Sequence, residues 1–423
     1  MTLTAVAGVE AEQDREAEVG LRLLVLLAFI AAASPLAIDL YLASFPGIQR
    51  DLATTPTMVQ LTLTAYLVGI SIGQPIWGPI SERYGRRRPL ILSNTITVAS
   101  SILVALAPTI DVLIAGRLVQ ALSAGSGMVI ARAMIADRAH GYAGVRALTL
   151  MMTILGVVPV IAPTLGGLMA TFLPWRGVLA VFAAIVAAQL VVSVRWVPET
   201  LPAVRRTTRV QYADLGRVLA RPAYLSYGLT LGLSVAVMMA YLAGSSFIYQ
   251  EVLGFSPVGY GLVFAANEVA MIAAGLFSGR LARREIHPAR TAALALPGVV
   301  ACCVALALIA ESPWPALIVI PSVANAFCVN LVTGNCMGLA MAQTRDLPGA
   351  GSAVLGLFMF GFGAAVTPLA SAFGGVGSAV PTAVVMAVTA LAASSAFVIG
   401  RWWVARNPLA EAQFASAVQG ATT

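Results

Sequence analysis

Residues 78–87 read GPISERYGRR, and residues 275–284 read GLFSGRLARR. Both stretches have a glycine, a serine and three arginines at the same relative positions, and each lies at the end of a long apolar run. A match at the same point of two parts of a chain indicates internal repetition. We therefore predict that the chain contains two copies of one structural unit.

The composition places both copies in a membrane. The chain has 423 residues, of which 59% are hydrophobic and 10% are charged, and its mean hydropathy is +0.89. Soluble domains contain about 25% charged residues, so this chain cannot cover a water-exposed surface. Its apolar residues fall in runs of about 20, the length that a helix needs to cross a bilayer.

Twelve such runs predict an all-α polytopic membrane protein. Alternating polar and apolar residues are absent, and a backbone in lipid must satisfy its own hydrogen bonds, so each run is expected to form a transmembrane helix. The predicted runs are 21–45, 57–80, 89–108, 110–135, 147–172, 175–196, 224–250, 258–280, 289–310, 315–341, 350–373 and 379–403.

A polar stretch divides the runs six and six. We predict an N-terminal tail over 1–20, an N-terminal half over 21–196, a linker over 197–223, a C-terminal half over 224–403 and a C-terminal tail over 404–423. Two similar halves are typical of secondary transporters, which bind substrate at mid-membrane between them. The sequence has no nucleotide-binding P-loop. We therefore expect a transporter driven by an ion gradient, with no enzymatic activity and no cofactor.

All 25 basic residues are arginine, and their positions predict the orientation. With the N-terminus inside, Arg50 and Arg176 fall in outer loops, Arg117 and Arg132 fall within helices, and every other arginine falls in a cytoplasmic segment. This bias is the positive-inside pattern. We therefore expect a multi-pass protein of the bacterial inner membrane with both termini cytoplasmic. The bias also explains the net charge of +7, so nucleic-acid binding is not expected.

The stretch at 78–87 resembles the signature loop of the major facilitator superfamily. In that family, an acid at the end of the second helix and nearby arginines latch neighbouring helices on the cytoplasmic side. The resemblance implies twelve helices in two pseudo-symmetric six-helix halves and a gating loop; a purely topological role for the arginines is the alternative. Glu82 stands where the family usually has Asp. The implied gating residues are Gly78, Glu82, Arg83, Gly85, Arg86 and Arg87.

Other stretches are similar to the twelve-helix drug/proton antiporters, and among them to the Bcr/CflA drug-resistance branch. This resemblance implies proton-coupled efflux of drug-like molecules such as amphenicols. Two departures are Ala43, where that branch usually has Pro, and Ala121, where it usually has Gly. The stretches that carry the resemblance are Pro35–Leu42, the second-helix residues Gln60, Tyr66 and Gln74, and the segments Arg117–Gln120 and Pro198–Leu201.

The fifth predicted helix resembles the glycine-proline motif that is typical of antiporters. Small residues allow helices to approach closely, and prolines bend a helix by removing a backbone hydrogen bond. Ala162 stands in place of one glycine of the motif. The pattern favours export over uptake. The residues that carry it are Gly156, Pro159, Pro163, Gly166 and Gly167.

Only two acids, Asp39 and Glu268, fall well inside predicted helices. A charge at mid-membrane costs about 2.5–3.5 kcal/mol on insertion scales, so its presence suggests a use. Asp39 and Arg117 are expected at similar depth. One interpretation is that Asp39 alternates between a desolvated state and a state beside Arg117, and so binds and releases the coupled proton. The other is that Asp39 and Arg117 form a static buried pair that holds the helices together. Glu268 is either a second proton site, a counter-charge for cationic drugs, or a neutral group bonded to another helix.

Aromatic and amide side chains near these charges are candidates for the substrate cavity, because such groups suit planar and amphipathic ligands. The candidates are Tyr41, Tyr66, Gln74, Gln120, Tyr241, Asn267 and Asn330. The cysteines are expected to be apolar packing residues, so no metal site is predicted. The expected partners are protons, a small-molecule substrate and the lipid bilayer, and the expected state is a monomer.

Proton-coupled efflux by alternating access is therefore the leading functional interpretation. A dedicated exporter of a metabolite, such as a siderophore, an amino acid or a sugar, is a second interpretation on the same fold. A proton-coupled uptake symporter is a third, which the fifth helix disfavours. A non-transporting receptor or scaffold is disfavoured, because it needs neither an intramembrane acid nor a duplicated loop.

The predicted topology can be tested with a reporter that is active only in the cytoplasm. Fusion after Arg206, in the linker, should give an active reporter, and fusion near Ser312, in an outer loop, should give an inactive one. Equal activity at the two positions would contradict the twelve-helix arrangement.

Overall fold

The computed structural model describes residues 20–139, 141–206, 213–310, 315–344, 346–372 and 379–406. Within these ranges the chain is helical and contains no β-strand. Eleven single helices are long and apolar enough to cross a membrane, and one bent pair supplies the twelfth span. The predicted tails, except for Gly20 and residues 404–406, and part of the predicted linker lie outside the described residues.

Each predicted apolar run lies on one of these spans, so the twelve-helix fold is confirmed. In the N-terminal half, the spans are the bent pair Leu21–Ala31 and Ala33–Leu42, followed by Pro56–Tyr84, Arg87–Ala105, Ile110–Arg138, Gly141–Phe172 and Trp175–Arg195. In the C-terminal half, they are Pro222–Phe247 with the π-helical turn Ile248–Val252, Pro257–Arg283, Pro288–Ile309, Pro315–Ala342, Pro348–Val366 with Leu369–Ala372, and Val380–Arg406. Short helices also cover Phe45–Asp51, Ala203–Arg205 and Ala213–Leu219.

The sequence determines where many spans begin. Proline occupies the first helical position of six spans, where its missing N–H costs no hydrogen bond and its fixed φ suits a helix. Side-chain caps mark three starts: Thr55 accepts from the backbone N–H of Met58, and Thr109 and Ser256 do the same three residues ahead. These local signals explain why the predicted and observed spans agree.

The first span bends by 44° between its two helices. Pro35 follows the break and has no N–H to donate to the carbonyl of Ala31, so the helix loses a hydrogen bond at this point. Asp39 lies about one turn beyond Pro35, in the second helix of the pair. The bend therefore fixes the direction in which the segment carrying Asp39 crosses the interior.

The second and fourth spans pack backbone to backbone. A Cβ atom at Gly69 would lie 2.6 Å from the carbonyl oxygen of Leu118, and one at Gly73 would lie 2.4 Å from that of Leu122. The Trp77 Nε1 donates to the same Leu122 oxygen at 2.7 Å. Glycines four residues apart allow this close approach in a membrane, where packing rather than hydrophobic burial drives association.

Because every span reverses the chain direction, the bundle has two ends. We call the end with residues 84–87, 138–139, 195–206 and 213–222 the linker end, and the end with residues 42–56 and 247–257 the far end. Three hydrogen bonds between described residues join the halves, and all three lie at the far end. They run from Ser246 Oγ to Leu42 O, from Gln250 Nε2 to Ala43 O and from Thr164 Oγ1 to Gly261 O, at 2.7, 3.2 and 3.3 Å.

Candidate functional site

Arg117 lies inside the N-terminal half and is fully buried. Its guanidinium donates to Gln120 Oε1 at 2.7 Å and to the carbonyl oxygen of Ala37 at 2.9 Å. The guanidinium carbon also lies 4.5 Å from the ring centroid of Tyr41 and 4.1 Å from that of Tyr66. A cation between aromatic faces is stabilised by the ring quadrupoles, most strongly where water is excluded.

The groups around Arg117 are themselves fixed by hydrogen bonds. Tyr41 Oη lies 2.5 Å from Thr62 Oγ1, and Gln120 Nε2 donates to Ser101 Oγ at 2.7 Å. Tyr41, Tyr66 and Gln120 are each 1% exposed or less. In this conformation all three hold Arg117, and their predicted place in the substrate cavity stays a prediction.

Asp39, in the first span, and Glu268, in the eighth, come from opposite halves of the protein. Asp39 is 7% exposed and Glu268 is 8% exposed. Neither carboxyl group forms a hydrogen bond or an ion pair with a described residue. The static pair of Asp39 with Arg117 is therefore not present in this conformation, and the proton-coupling role of the two acids stays a prediction.

Hydrogen bonds hold the aromatic hydroxyl groups of this region. Tyr66 Oη, in the second span, donates to the carbonyl oxygen of Ser34 at 3.4 Å, and Tyr260 Oη, in the eighth, lies 3.2 Å from Ser245 Oγ. Asn267, the neighbour of Glu268, donates from Nδ2 to Tyr241 Oη at 2.8 Å, but its buried Oδ1 has no partner among the described residues. Asn267 thus links Tyr241, in the seventh span, to the eighth span beside Glu268; the place of both residues in the substrate cavity stays a prediction.

The other two cavity candidates lie nearer the linker end. Asn330 donates from Nδ2 to the carbonyl oxygen of Met271 at 2.6 Å and so joins the tenth and eighth spans. Gln74 lies at the boundary of the halves, since a Cβ atom at Gly356 would be 3.2 Å from its Oε1. Gln74 forms no hydrogen bond with a described residue and is half-buried, so its amide is open to a ligand.

The predicted antiporter helix seals the far end. A Cβ atom at Gly166 would lie 2.5 Å from the carbonyl oxygen of Leu40, and one at Gly167 would lie 2.3 Å from that of Pro257. A glycine of the eighth span allows the same close approach: a Cβ atom at Gly261 would lie 2.8 Å from the carbonyl oxygen of Pro163. Since Leu40 follows Asp39, the seal begins next to the acid. Gly156, nearer the linker end, has nothing within 4 Å of its Cβ position.

Two further residues of this motif, Pro159 and Pro163, lie inside the helix Gly141–Phe172. Proline removes the hydrogen bond to the carbonyl four residues earlier, and this weakens the helix locally. The helix remains continuous through both positions. The motif therefore combines a bendable segment with a tightly packed glycine surface.

At the linker end, the arginines of the signature loop bind acids on other spans. Arg86 is 7% exposed, and its guanidinium donates to Asp137 Oδ2 and Oδ1 at 2.9 and 3.2 Å. It also donates to Ser81 Oγ at 2.8 Å. Thr200 Oγ1 donates to the same Asp137 at 2.9 Å. A bidentate arginine–carboxylate pair is strong and directional, so it fixes the second, third, fourth and sixth spans relative to one another.

Glu199 completes this network from the chain that follows the sixth span. Its carboxylate accepts the backbone N–H groups of Arg86 at 2.8 Å, Arg87 at 3.2 Å, and Thr200 and Leu201 at 3.0 Å. Partial burial raises the pKa of Glu199, but the four backbone N–H groups together lower it by more, so its pKa lies below the ordinary value. The stabilisation that the ionised Glu199 gives to the fold is therefore present at neutral pH, and it is lost as the pH falls through the folded-state pKa.

Gly85 makes this arrangement possible. Its φ of +87° is a conformation that glycine adopts readily, and a Cβ atom there would lie 2.5 Å from Glu199 Oε2. Any other side chain would displace the carboxylate. Arg87, next in the loop after Arg86, donates from its guanidinium to the carbonyl oxygen of Val194 at 2.6 Å.

The acid predicted for the latch, Glu82, does not belong to this network. Glu82 and Arg83 are exposed, and neither forms a hydrogen bond or an ion pair with a described residue. Successive helix residues point about 100° apart, so Ser81 faces the interior while its neighbours face outward. In this conformation Asp137 and Glu199, and not Glu82, bind the loop residues Arg86 and Arg87, and the gating role of Glu82 and Arg83 stays a prediction.

Asp137→Ala should destabilise the protein, because it leaves the buried Arg86 guanidinium without its counter-charge. The loss expected for breaking such a pair is about 3–5 kcal/mol, measured as a lower thermal unfolding temperature of the purified protein. Glu82→Ala is the matched control at the exposed acid and should change stability by less than about 0.5 kcal/mol. Equal unfolding temperatures for the two variants would refute the assignment.

Comparison with known proteins identifies the family. The family model described as Major Facilitator Superfamily matches residues 27–368. The "Uncharacterized MFS-type transporter YdgK" of Bacillus subtilis (strain 168) is 33% identical over 385 residues, which cover 89% of this chain and 94% of that protein. The "Chloramphenicol resistance protein" of Pseudomonas aeruginosa is 31% identical over 250 residues, 58% of each chain. The "Multidrug resistance protein MdtL" of Klebsiella pneumoniae is 29% identical over 231 residues, covering 55% of this chain and 59% of that protein.

Solved structures share the fold at low sequence identity. A mutant form of the nucleoside transporter NupG has a TM-score of 0.73 at 10% identity, and the match covers 89% of this chain and 98% of that one. A bacterial homologue of the human lysosomal transporter Spinster, in an inward-facing and unoccupied conformation, has a TM-score of 0.63 at 15% identity, covering 94% and 98%. This chain therefore belongs to the major facilitator superfamily: it is a multi-pass membrane transporter and not an enzyme, and it matches the drug-efflux branch of that family.

Proposed function

We propose that this transporter exports drug-like, amphipathic small molecules across the bacterial inner membrane in exchange for protons. The observation that supports the proposal most directly is the pair of buried acids, Asp39 and Glu268, between the two halves. Neither acid has a cationic partner among the described residues. A carboxyl group in such a place is more stable when it carries a proton or binds a cation, which is the property that a coupling site requires.

The direction of export rests on the orientation and on the far-end seal. With both termini and the linker in the cytoplasm, as the arginine distribution favours, the far end faces outward. The seal of Gly166, Gly167 and Gly261 then closes the outer side, and the hydrogen bonds that join the halves hold it closed. This conformation is the cytoplasm-facing one, in which an exporter takes up its substrate.

In the proposed cycle, Asp39 and Glu268 release protons when substrate binds and take up protons when substrate leaves. In the cytoplasm-facing state, substrate enters and the acids release protons; the halves then rock, the far-end seal opens and protons replace the substrate. Arg117 donates to the carbonyl oxygen of Ala37, two residues before Asp39. In the proposed cycle, rotation of the first span during rocking brings the carboxylate towards the guanidinium. That approach favours the ionised acid and hence proton release.

The printed names of two relatives support the proposed substrate class. One is called a chloramphenicol resistance protein and another a multidrug resistance protein. Each match spans little more than half of this chain, so the names support export of foreign small molecules without naming the substrate here. The glycine-packed fifth span adds support for export over uptake.

Asp39→Asn keeps the shape of the side chain and removes its titratable proton. The variant should bind substrate but should fail to build a substrate gradient in proteoliposomes when a proton gradient is applied, because uphill export needs the coupled proton. The membrane potential supplies about 2.3 kcal/mol per elementary charge at 100 mV, so losing one proton per cycle matters energetically. The measurement is uphill transport of radiolabelled substrate compared with wild type.

Glu268→Gln provides the internal comparison, and Glu285→Gln, at an exposed acid of the same half, is the matched control. If Glu268→Gln abolishes uphill transport while Asp39→Asn does not, the two acids have the opposite roles. If both variants export uphill at the wild-type rate, proton antiport through these acids is wrong.

A further inference from the structure

The two copies of the repeated loop differ in how the helix before them ends. In the first copy, Gly85 turns the chain with a φ of +87°, and Arg86 enters the bundle and binds Asp137. In the second copy, Ala282 stands at the position of Gly85, and the eighth span continues as a helix to Arg283. A residue with a Cβ atom adopts a positive φ only at a cost. The second copy therefore has no turn at this position that would direct its arginines inwards.

Four arginines on the second copy and the start of the next span remain on the surface of the linker end. Three are the counterparts of the arginines of the first copy, and the fourth lies in the first turn of the ninth span. All four are exposed, and none of their side chains forms a hydrogen bond or an ion pair with a described residue. We call them the arginine cluster: Arg280, Arg283, Arg284 and Arg290.

Two acids at the linker end of the C-terminal half do not neutralise the arginine cluster. Glu285 follows the eighth span, is exposed and forms no ion pair with a described residue. Asp346 is bound by the guanidinium of Arg221, with N–H donors 2.7 and 2.6 Å from its two oxygens. Four like charges within eleven residues repel one another. The cluster therefore favours an anion that comes from outside the described protein.

Exposed apolar side chains lie in line with the arginine cluster on both spans. Arg280 and Arg283 lie four and seven residues beyond Leu276, on the same helix face, and Leu276 is 60% exposed. Arg290 lies four residues before Leu294, which is 73% exposed. On a transmembrane span, exposed apolar side chains contact acyl chains, and arginines at the helix end extend to the interface. The cluster therefore lies at the level of the lipid headgroups.

We propose that the arginine cluster binds the headgroup phosphate of an anionic phospholipid, whose acyl chains lie along Leu276 and Leu294. Guanidinium groups bind phosphate oxygens through paired N–H donors. A zwitterionic choline headgroup fits less well, because its own cation is repelled by the four arginines. The lipid phosphate does for the eighth and ninth spans what Asp137 and Glu199 do for the second and third: it joins their ends. This proposal does not depend on the proposed export function.

The test compares two lipids with the same acyl chains, phosphatidylglycerol and phosphatidylcholine, on the purified full-length protein in detergent. Native mass spectrometry gives the dissociation constant of each bound lipid. The wild type should bind phosphatidylglycerol at least about tenfold more tightly, since each basic residue near an anionic headgroup contributes about a factor of five. In the variant Arg280→Gln/Arg283→Gln the preference should fall below about threefold. Both side chains are exposed and unpaired, so their replacement leaves the fold intact.

Arg88→Gln/Arg195→Gln is the matched control, because it removes two exposed arginines from the linker end of the N-terminal half. It should keep the tenfold preference. An equal loss in both variants would show that the preference comes from overall charge and would overturn the site, as would a wild type without preference. Inorganic phosphate at the concentration of the lipid should not displace phosphatidylglycerol; full displacement would identify a site for free phosphate and refute lipid binding.

Discussion

The structure depends on a constraint of electrostatics: Asp39 and Glu268, one from each half of the bundle, are almost out of contact with water and have no cationic partner among the described residues. In a medium of low polarity, an ionised acid without a partner is unstable. Protons relieve this instability, and so does a cation. A coupled transporter can use the difference in free energy between the acids that carry protons and the acids that bind another cation. This difference exists because Arg117 is bound to other groups and does not neutralise the acids.

The rest of the fold keeps that constraint in place. Tyr41, Tyr66 and Gln120 hold the guanidinium of Arg117 away from the acids, and the Pro35 bend sets the course of the segment that carries Asp39. The glycine seal starts at Leu40, directly after the acid. Motion that opens the far end therefore changes the surroundings of Asp39 at the same time, which links access to protonation without a separate relay.

At the linker end, the Arg86–Asp137–Glu199 network joins spans of one half only. Such a network makes the N-terminal half a rigid body, and a rigid body transmits a rocking motion without losing its internal packing. Glu82 and Arg83 remain exposed beside it in this conformation. The signature loop therefore has a structural part, formed by Gly85 and Arg86, and an exposed part that is free to contact other elements when the halves move.

Much of this could be predicted from the sequence, because lipid allows few solutions. Apolar runs predicted the twelve spans, the repeated loop predicted the two halves, and Asp39 and Glu268 were found because acids are rare at that depth. The side chains that hold Arg117 away from Asp39 were not predictable as its partners, since hydropathy does not give the rotation of one span against another. Asp137 and Glu199 were missed for the same reason: they meet Arg86 from 51 and 113 residues away. The Pro198–Leu201 segment was the available signal for Glu199.

The most direct test of the central claim is to count protons released when substrate binds. The wild-type protein in a weakly buffered solution should release about one proton for each molecule of a transported substrate, such as chloramphenicol, that binds, because substrate binding and proton release are linked through the buried carboxyl groups. A protein with both Asp39→Asn and Glu268→Gln should release none. Saturable binding without any proton release from the wild type, at every pH where the protein stays folded, would contradict the account.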